Sequence, residues 1–229
     1  MYKNKRIIGW IPARGGSKGI PHKNIIDLCG KPLISYSITA ALQSKYIDYV
    51  MVSTDDREIA EIAREGGAQI PFLRPAELAS DTAKTVDAVV HTLQTLRDQG
   101  MEFDTMVLLQ PTQPLRTAED IDGAIETYMK AGCTPLVSVS LVEDHPLLIR
   151  SIQDNQLVPL LDVSSTCRRQ DMPDYYRVNG CIYINETAQI DENTSFNDNR
   201  LPFVMDNSHS VDIDAMRDLY MAKYYLEQA

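Results

Sequence analysis

Two cationic side chains, Arg14 and Lys18, stand inside a glycine-rich segment that reads PARGGSKGIPHKN and spans residues 12–24. An apolar, strand-like run ends directly before this segment, at Ile11. Glycines let a backbone approach a ligand closely, and the free N–H groups of such a loop form a concavity that binds anions. An arginine fork and a lysine ammonium can then contact phosphate oxygens. In a chain of net charge -10, the segment predicts a nucleoside triphosphate site, and a solvated surface turn is the alternative.

This segment differs from the two commonest phosphate-binding motifs. A Walker A loop ends in Gly-Lys-Ser/Thr, whereas Lys18 is followed by Gly19. The G-x-G-x-x-G spacing of dinucleotide-binding proteins is also absent. The chemistry of the segment therefore has to be argued from its residues and not from a standard motif.

A second candidate site is the pair of carboxylates in Asp212-Ile213-Asp214. Alternate residues of an extended segment point the same way, so Asp212 and Asp214 can converge on one hard cation. Mg²⁺ prefers such oxygen ligands together with substrate phosphates, and we take Mn²⁺ as its alternative. The other interpretation is a helix N-terminus with Asp214 as its cap, and Asp214 can serve both roles.

Three arginines, Arg168, Arg169 and Arg177, form a third group. Arginine forks bind carboxylates and phosphates through two parallel hydrogen bonds, so the group is a candidate for binding an acidic ligand. A solvated basic patch is the alternative. None of the four histidines has a metal-ligand spacing or an obvious serine or cysteine partner, and we therefore expect no nucleophilic catalysis.

The pattern of apolar residues alternates between strands and helices over the first 140 residues. Asp56 and Asp81 are candidate helix caps, and Thr117 with Asp120 resembles a capping box. The expected strands are residues 5–11, 49–53, 105–109, 136–141 and 180–185. The expected helices are residues 32–44 and 56–65, a long helix after Asp81, one from Thr117 to about residue 131, and one from about residue 214.

Alternation of this kind predicts an α/β fold, a Rossmann-like and mostly parallel sheet with helices on both faces. Ligands of such sheets bind outside the carboxyl ends of the strands, so the loop after Ile11, the turn 53–56 and the turn 110–112 should line one crevice. Residues 144–175 break the pattern with a hairpin around Asp154-Asn155. We therefore expect residues 1–143 and 176–229 to form the core, with 144–175 as an insertion.

Length and composition restrict the class of protein. A chain of 229 residues with 44% hydrophobic residues suits one domain of ordinary size. No run approaches the roughly 20 apolar residues of a membrane helix, and the excess of 32 acidic over 22 basic residues argues against binding nucleic acid. The four scattered cysteines and the lack of a signal-peptide pattern indicate a cytoplasmic protein without disulfides.

Seven segments spread over nearly the whole chain carry a resemblance to the CMP-N-acetylneuraminate synthetases, also called acylneuraminate cytidylyltransferases. They are ARGGSKGIPHKN (13–24), VSTDD (52–56), LRPAELASDTA (73–83), LLQPTQPLRT (108–117), RRQDMP (168–173), RVNGCIYIN (177–185) and VDIDA (211–215). The resemblance implies the nucleotidyltransferase fold and a reaction in which CTP and a nine-carbon acidic sugar give a CMP-sugar and pyrophosphate. It also implies a homodimer in which 144–175 is a dimerisation arm that completes the neighbouring active site.

The resemblance further implies a role for individual residues. The implied catalytic residues are Arg14, Lys18 and Asp214. CTP is implied to contact Ala13, Arg14, Ser17, Lys18, Asn24, Arg74, Ala83 and Thr85. The acidic sugar is implied to contact Gln110, Arg169, Arg177, Tyr183 and Phe196. Asp212 and Asp214 match the Mg²⁺ ligands. Two positions depart from the family: a lysine is replaced by Leu148, and a serine on the ribose side by Thr85.

Three alternatives stay open at this point. The acceptor is N-acetylneuraminate or a relative such as legionaminate or pseudaminate, since all are nine-carbon acids of similar shape. Kdo enzymes resemble the chain less, because they lack the Gly-Gly-Ser-Lys form of the loop. A catalytically inactive nucleotide-binding domain is the third reading, and the intact Asp212 and Asp214 argue against it.

Overall fold

The computed structural model describes residues 2, 4–17, 19–163, 166 and 168–228. Its strands in chain order are β1 (Ile7–Pro12), β2 (Asp27–Leu28), β3 (Lys31–Pro32), β4 (Tyr49–Ser53), β5 (Thr105–Leu109), β6 (Leu136–Leu141), β7 (Arg150–Gln153), β8 (Gln156–Pro159), β9 (Tyr176–Glu186) and β10 (Leu201–Val204). Six of them form the central sheet, in the order β10-β6-β9-β5-β1-β4. Its strands are parallel except β9, which is antiparallel to both of its neighbours. The mostly parallel α/β fold predicted from the sequence is confirmed.

The helices are α1 (Leu33–Gln43), α2 (Arg57–Glu65), α3 (Thr85–Asp98), α4 (Ala118–Lys130) and α5 (Met216–Gln228). Two predicted helix starts are confirmed. The Asp56 carboxylate accepts hydrogen bonds from two backbone N–H groups in the first turn of α2. Thr117 and Asp120 form the expected capping box of α4. The prediction that Asp81 caps a helix is wrong, because α3 begins later, with Lys84 at its N-cap position.

Helices cover both faces of the sheet because the central strands are apolar on both sides. In β1, Ile7 and Ile11 face one layer, and Ile8 and Trp10 face the other, as the two-residue period of a strand requires. The first layer contains α1, α2 and α4. The second contains α3. A smaller apolar cluster packs α5 against the start of α1 through residues such as Leu33.

Residues 144–175 contain the predicted hairpin, β7–β8, which forms a separate two-stranded sheet. Its turn consists of Asp154 and Asn155, both at positive φ, the conformation that these two residue types tolerate best after glycine. The hairpin exposes its apolar side chains, with Ile152 at 75% and Leu157 at 70% exposure. In the part of the chain that the structure describes, every helix is too short or too polar to span a membrane.

Candidate active site

The loops after β1 and β5 meet at the carboxyl edge of the sheet and line one cavity of about 590 Å³, here called the loop cleft. It brings together most of the residues predicted to bind CTP. The predicted residues that line it are Arg14, Ser17, Asn24, Arg74, Ala83, Thr85, Gln110 and Asp214. Ala13 is fully buried behind this wall, where its N–H donates to the Ser53 carbonyl. Lys18 lies outside the described residues.

The turn 53–56, which the sequence placed in the crevice, supports the glycine-rich loop from behind. The Gly15 N–H donates to the Asp55 carboxylate at 3.0 Å. A Cβ at Gly15 would lie only 2.7 Å from Oδ2 of Asp56, whereas one at Gly16 would meet no atom within 4 Å. Gly15 is therefore required by packing, and Gly16 leaves open space on the cleft side. The loop is hydrogen-bonded to Asp55, which lies between the end of β4 and the cap of α2, so the sheet and helix behind the loop position it.

Arg14 spans the loop cleft. Its Nη1 donates to the Ser80 carbonyl at 2.9 Å and lies 3.1 Å from Oδ1 of Asp81. Asn24 fixes the loop from the other side, because its amide donates to the Arg14 carbonyl at 2.9 Å. The Asp81 carboxylate, expected to cap α3, thus faces the cleft and balances the charge of Arg14.

Arg74 forms a buried wall of the loop cleft. Its guanidinium donates to the hydroxyl and the carbonyl of Ser53, and it lies 5.7 Å from the centre of the Trp10 ring. Burial lowers the pKa of Arg74 to about 10, against a smaller opposing effect of Asp55. The side chain therefore stays positively charged at neutral pH, in a position held by the end of β4.

Asp212 and Asp214 flank Ile213, which is fully buried and donates its N–H to the Thr112 carbonyl. Both carboxylates line a second cavity of about 530 Å³, here called the Asp212 cavity. Burial, followed by the nearby charge of Asp214, raises the pKa of Asp212, although a hydrogen bond with Thr112 opposes the rise. Oδ1 of Asp212 is buried without a hydrogen-bond partner among the described residues.

An orphaned carboxylate oxygen beside a second carboxylate fits a divalent cation, so the donor set suits the predicted Mg²⁺. Oδ1 of Asp214 accepts a hydrogen bond from the Lys23 ammonium at 2.8 Å, a contact that sequence analysis did not anticipate. Three or more His, Cys, Asp or Glu side chains do not converge on one point anywhere in the described residues. A cation held here would depend on substrate oxygens or water for its remaining ligands.

A third cavity, of about 560 Å³, adjoins the loop cleft and is here called the Tyr183 cavity. The two share Lys84, Thr85 and Gln110. Tyr183 and Phe196, both expected from the resemblance to contact the sugar, line the Tyr183 cavity. The Tyr183 hydroxyl donates a hydrogen bond to the side-chain oxygen of Asn197 at 2.9 Å. Burial, with a smaller effect of the Asp212 charge, raises the pKa of this phenol to about 12, so it stays protonated at neutral pH.

The predicted arginines are less closely grouped. Arg177 lies near the start of β9 and lines the Asp212 cavity, not the Tyr183 cavity. The side chain of Arg169 lies outside the described part of the structure. Leu148, at the position where the resemblance implies a lysine, is 57% exposed on a short 3₁₀ turn next to the hairpin.

Sequence analysis missed one buried cation, Arg116. Its guanidinium donates to the carbonyls of Cys181 and Gln110 and to the Ser37 hydroxyl, and the side chain is only 2% exposed. Burial lowers its pKa to about 10. One sequence feature could have identified Arg116: it directly precedes Thr117, the cap of α4, at the sheet edge where functional loops lie.

Comparison with known proteins shows which family the chain belongs to. A family model described as Cytidylyltransferase matches residues 8–228. The CMP-N,N'-diacetyllegionaminic acid synthase of Legionella pneumophila is 40% identical over 97% of each chain. The pseudaminic acid cytidylyltransferase of Campylobacter jejuni is 36% identical over 93% of each. The N-acylneuraminate cytidylyltransferase of Escherichia coli is 35% identical over 95% of this chain and 51% of its own length.

Solved structures agree on the fold. A CMP:2-keto-3-deoxy-manno-octonic acid synthetase complexed with CTP superposes with a TM-score of 0.72, at 18% identity over 97% of this chain and 99% of the other. At that identity the similarity concerns the fold alone. The sequence matches carry the assignment, and the chain belongs to the cytidylyltransferase family.

Proposed function

We propose that this enzyme transfers CMP from CTP to a nine-carbon acidic sugar and releases pyrophosphate. The observation that carries the proposal is the continuity of the loop cleft with the Tyr183 cavity through Lys84, Thr85 and Gln110. One cavity has the cations and open glycine backbone that suit a triphosphate. The other has a phenol and an aromatic ring that suit a sugar with polar and acyl groups.

In this proposal the triphosphate lies along the glycine-rich loop. Arg14 and Lys18 contact it, Ser17 adds a hydroxyl, and Arg74 keeps a buried positive charge at the wall. Cytosine and ribose lie against Asn24, Ala83 and Thr85, and Ala13 backs this wall from inside the core. This placement is supported by the convergence of the described members of the set other than Ala13 on one cleft.

Asp212 and Asp214 are the proposed ligands of Mg²⁺, or of Mn²⁺ in its place. The unpartnered Oδ1 of Asp212 supports this assignment. When bound, the cation neutralises charge on the triphosphate and its leaving pyrophosphate. Lys23, which pairs with Asp214, is then free to turn its ammonium toward the phosphates.

The chemistry is an in-line displacement at phosphorus. The anomeric hydroxyl of the sugar attacks the α-phosphorus, the bond to the bridging oxygen of pyrophosphate breaks, and the hydroxyl proton passes to solvent or base. Such transfers depend mainly on positioning and on stabilisation of charge. Arg14, Lys18 and Lys23 stabilise the negative charge that gathers on the pentavalent centre. Gln110, at the junction of the cavities, orients the attacking hydroxyl.

The acceptor is held from two sides. Tyr183 and Phe196 form the described wall, and we assign the sugar carboxylate to Arg169. Arg177 lines the Asp212 cavity, so a contact with the sugar would come from that side. Each guanidinium can bind a carboxylate through two parallel hydrogen bonds.

We further propose a homodimer in which residues 144–175 form the arm and help complete the neighbouring site. The exposed apolar side chains of the hairpin support this, because a patch of this kind on a globular enzyme needs cover. Since CTP is an intracellular metabolite, the proposal places the enzyme in the cytoplasm. It assigns no nucleic-acid or membrane partner.

Two acceptors are the main candidates. The sequence resemblance favours N-acetylneuraminate, and the relative that is 40% identical over 97% of each chain is named for N,N'-diacetyllegionaminic acid. Pseudaminate is a further alternative, since a relative 36% identical is named for it. All three acids have the polar and acyl groups that suit the phenol and the aromatic ring of the Tyr183 cavity.

The test is pyrophosphate release from CTP and Mg²⁺ with each of these acids, with Kdo as an eight-carbon comparison. We expect turnover with at least one nonulosonate and a much lower kcat/KM with Kdo. Reactions that contain EDTA, or that have ATP or GTP in place of CTP, should release no pyrophosphate. An enzyme that binds CTP but releases no pyrophosphate with any acid would support the inactive-domain alternative.

A further inference from the structure

The longest strand of the sheet, β9, carries a bulge beside the junction of the two substrate cavities. The register of β6 shifts between Val137 and Val139, so that Ser138 alone lies opposite residues 179–182. Gly180, inside the bulge, is buried and has φ +78°. Glycine adopts this backbone conformation at little cost, and bulges beside active sites commonly redirect a side chain.

Buried polar side chains hold the bulge in place. The Ser138 hydroxyl donates to the Asn179 side-chain oxygen at 2.6 Å and accepts the Ile182 N–H at 2.8 Å. The same Asn179 oxygen accepts the Cys181 N–H, and the Gln113 amide donates to the Asn179 carbonyl. Ser138, Asn179 and Gln113 are all at most 5% exposed. These hydrogen bonds replace the backbone hydrogen bonds between β6 and β9 that the bulge interrupts, so the bulge is a fixed feature of the fold.

The bulge brings the backbone of Gly180 against the side chain of Gln110. A Cβ at Gly180 would lie 3.1 Å from Oε1 and 3.6 Å from Cδ of Gln110. The Gln110 carbonyl is anchored by Arg116 at 3.3 Å and by the Ser37 hydroxyl at 3.4 Å. No residue that the structure describes hydrogen-bonds the Gln110 side-chain amide. A side chain at residue 180 would therefore meet the Gln110 amide first, with the Gln113 amide next at 3.6 Å from the Cβ.

We propose that Gly180 is a positioning residue, whose bare backbone lets the bulge of β9 hold the Gln110 amide at the junction of the loop cleft and the Tyr183 cavity. This proposal rests on the proposed function, in which Gln110 orients the attacking hydroxyl of the sugar. A methyl group at residue 180 requires the amide to shift by a few tenths of an ångström. The nucleotide, which contacts other residues of the loop cleft, is left in place.

The first test is Gly180→Ala, with Gly100→Ala as the matched control. Gly100 has nearly the same φ, +77°, but a Cβ there would meet no atom within 4 Å. We expect Gly180→Ala to lower kcat/KM for the acidic sugar by about 10-fold, less than the roughly 100-fold that a misplacement of about 1 Å can cost. KM for CTP should not change, and Gly100→Ala should keep wild-type kinetics. Equal losses of kcat/KM in the two variants, or an effect on KM for CTP alone, would overturn the proposal.

A double-mutant cycle with Gln110→Ala tests the contact itself. In the Gln110→Ala background, Gly180→Ala should cause no further loss of kcat/KM, and the double variant should melt at a higher temperature than Gly180→Ala. If Gly180→Ala does not fold while Gly100→Ala does, the double variant should fold, because both glycines have nearly the same φ and only Gly180 has the side-chain clash. Additive effects on rate and melting temperature, or a double variant that does not fold although Gly100→Ala does, would contradict the proposal.

A measurement without substrate separates this inference from the proposed function. The side-chain amide of Gln110 gives ¹⁵N–¹H resonances, assigned by their loss in Gln110→Ala. We expect these resonances to shift in Gly180→Ala and to stay unchanged in Gly100→Ala. If the wild-type enzyme turns over no nonulosonate, the proposed function fails. The Gln110 resonances and the melting temperatures of the double-mutant cycle still decide the role of Gly180. Unchanged Gln110 resonances in Gly180→Ala would reject that role.

Discussion

A Cβ placed on Gly19 would lie 2.5 Å from the backbone carbonyl oxygen of Asp214. The glycine-rich loop and the carboxylate segment are therefore in direct backbone contact, although they are far apart in the sequence. The ion pair between Lys23 and Asp214 joins the same two segments through side chains. The proposed triphosphate and cation sites are thus built on two segments that lie directly against each other.

Gly19→Ala should disturb this arrangement because its methyl group meets backbone and not a movable side-chain end. We expect the free energy of unfolding to fall by about 1–3 kcal/mol, the usual cost of overpacking, as measured by urea denaturation. Gly16→Ala is the control, since a Cβ there meets no atom within 4 Å. Similar stabilities of the two variants would show that the loop yields easily and is not fixed by Asp214.

The metal assignment predicts that Asp212→Ala and Asp214→Ala each raise the Mg²⁺ concentration for half-maximal activity by at least about 10-fold. Each variant removes one of two oxygen ligands. A Mg²⁺ titration of pyrophosphate release measures the effect, and Mn²⁺ binding by electron paramagnetic resonance measures it without turnover. Asp98→Ala, an exposed carboxylate at the end of α3, is the control. Lower stability with unchanged metal dependence would give the carboxylates a structural role, which for Asp214 is the ion pair with Lys23 and not a helix cap, because α5 begins only at Met216.

Local sequence signals predicted much of the fold. Apolar runs gave β4, β5 and β6 with their observed bounds, and Asp56 and Thr117 marked helix starts correctly. Asp81 has the residue type of a cap, but its carboxylate pairs with Arg14, a contact that depends on the tertiary fold. The short strand β10 was missed, because its four residues, LPFV, include a proline and show little period-two polarity.

Part of the candidate site could be predicted from local sequence. The glycine-rich loop and Asp214 were selected for their residue types and spacing, and the structure places both in the lining of the loop cleft. The bulge at Gly180 could not be predicted, because a glycine in a strand only hints at a bulge, and its partners Ser138 and Gln113 are distant in sequence. Arg116 was missed for the same reason, since its role is defined by the remote Cys181 and Ser37.

The arm assignment predicts a particle of twice the chain mass of 25.7 kDa in light scattering at micromolar concentration. Ile152 and Leu157 are register partners in the hairpin and are both largely exposed. Replacing both with lysine should halve the mass, because the new charges cannot be buried in an interface. Leu42→Lys, at an exposed apolar position on α1, should leave the dimer intact. A wild-type mass near 25.7 kDa would contradict the arm assignment.

Lys18→Ala should reduce kcat by about 10²–10³-fold while the protein stays folded, because one charge contact to the transition state is lost. Steady-state pyrophosphate release gives the rate, and thermal melting checks the fold. Lys130→Ala removes a lysine that is 70% exposed on α4 and should have no effect on kcat. Near-normal turnover of Lys18→Ala would identify Lys18 as a solvated surface charge and support the surface-turn interpretation of the loop.

Arg169→Ala should raise KM for the acidic sugar much more than KM for CTP, because a guanidinium that binds the sugar carboxylate is lost. Charged hydrogen bonds of this kind contribute about 1.5–3 kcal/mol, which corresponds to roughly 10- to 150-fold in binding. Steady-state kinetics with each substrate varied in turn separates the two constants. Arg168→Ala is the matched control, since that neighbouring side chain is 77% exposed and pairs with Asp171. An equal rise in both constants, or a rise for CTP alone, would move Arg169 to the nucleotide and leave the sugar carboxylate to Arg177.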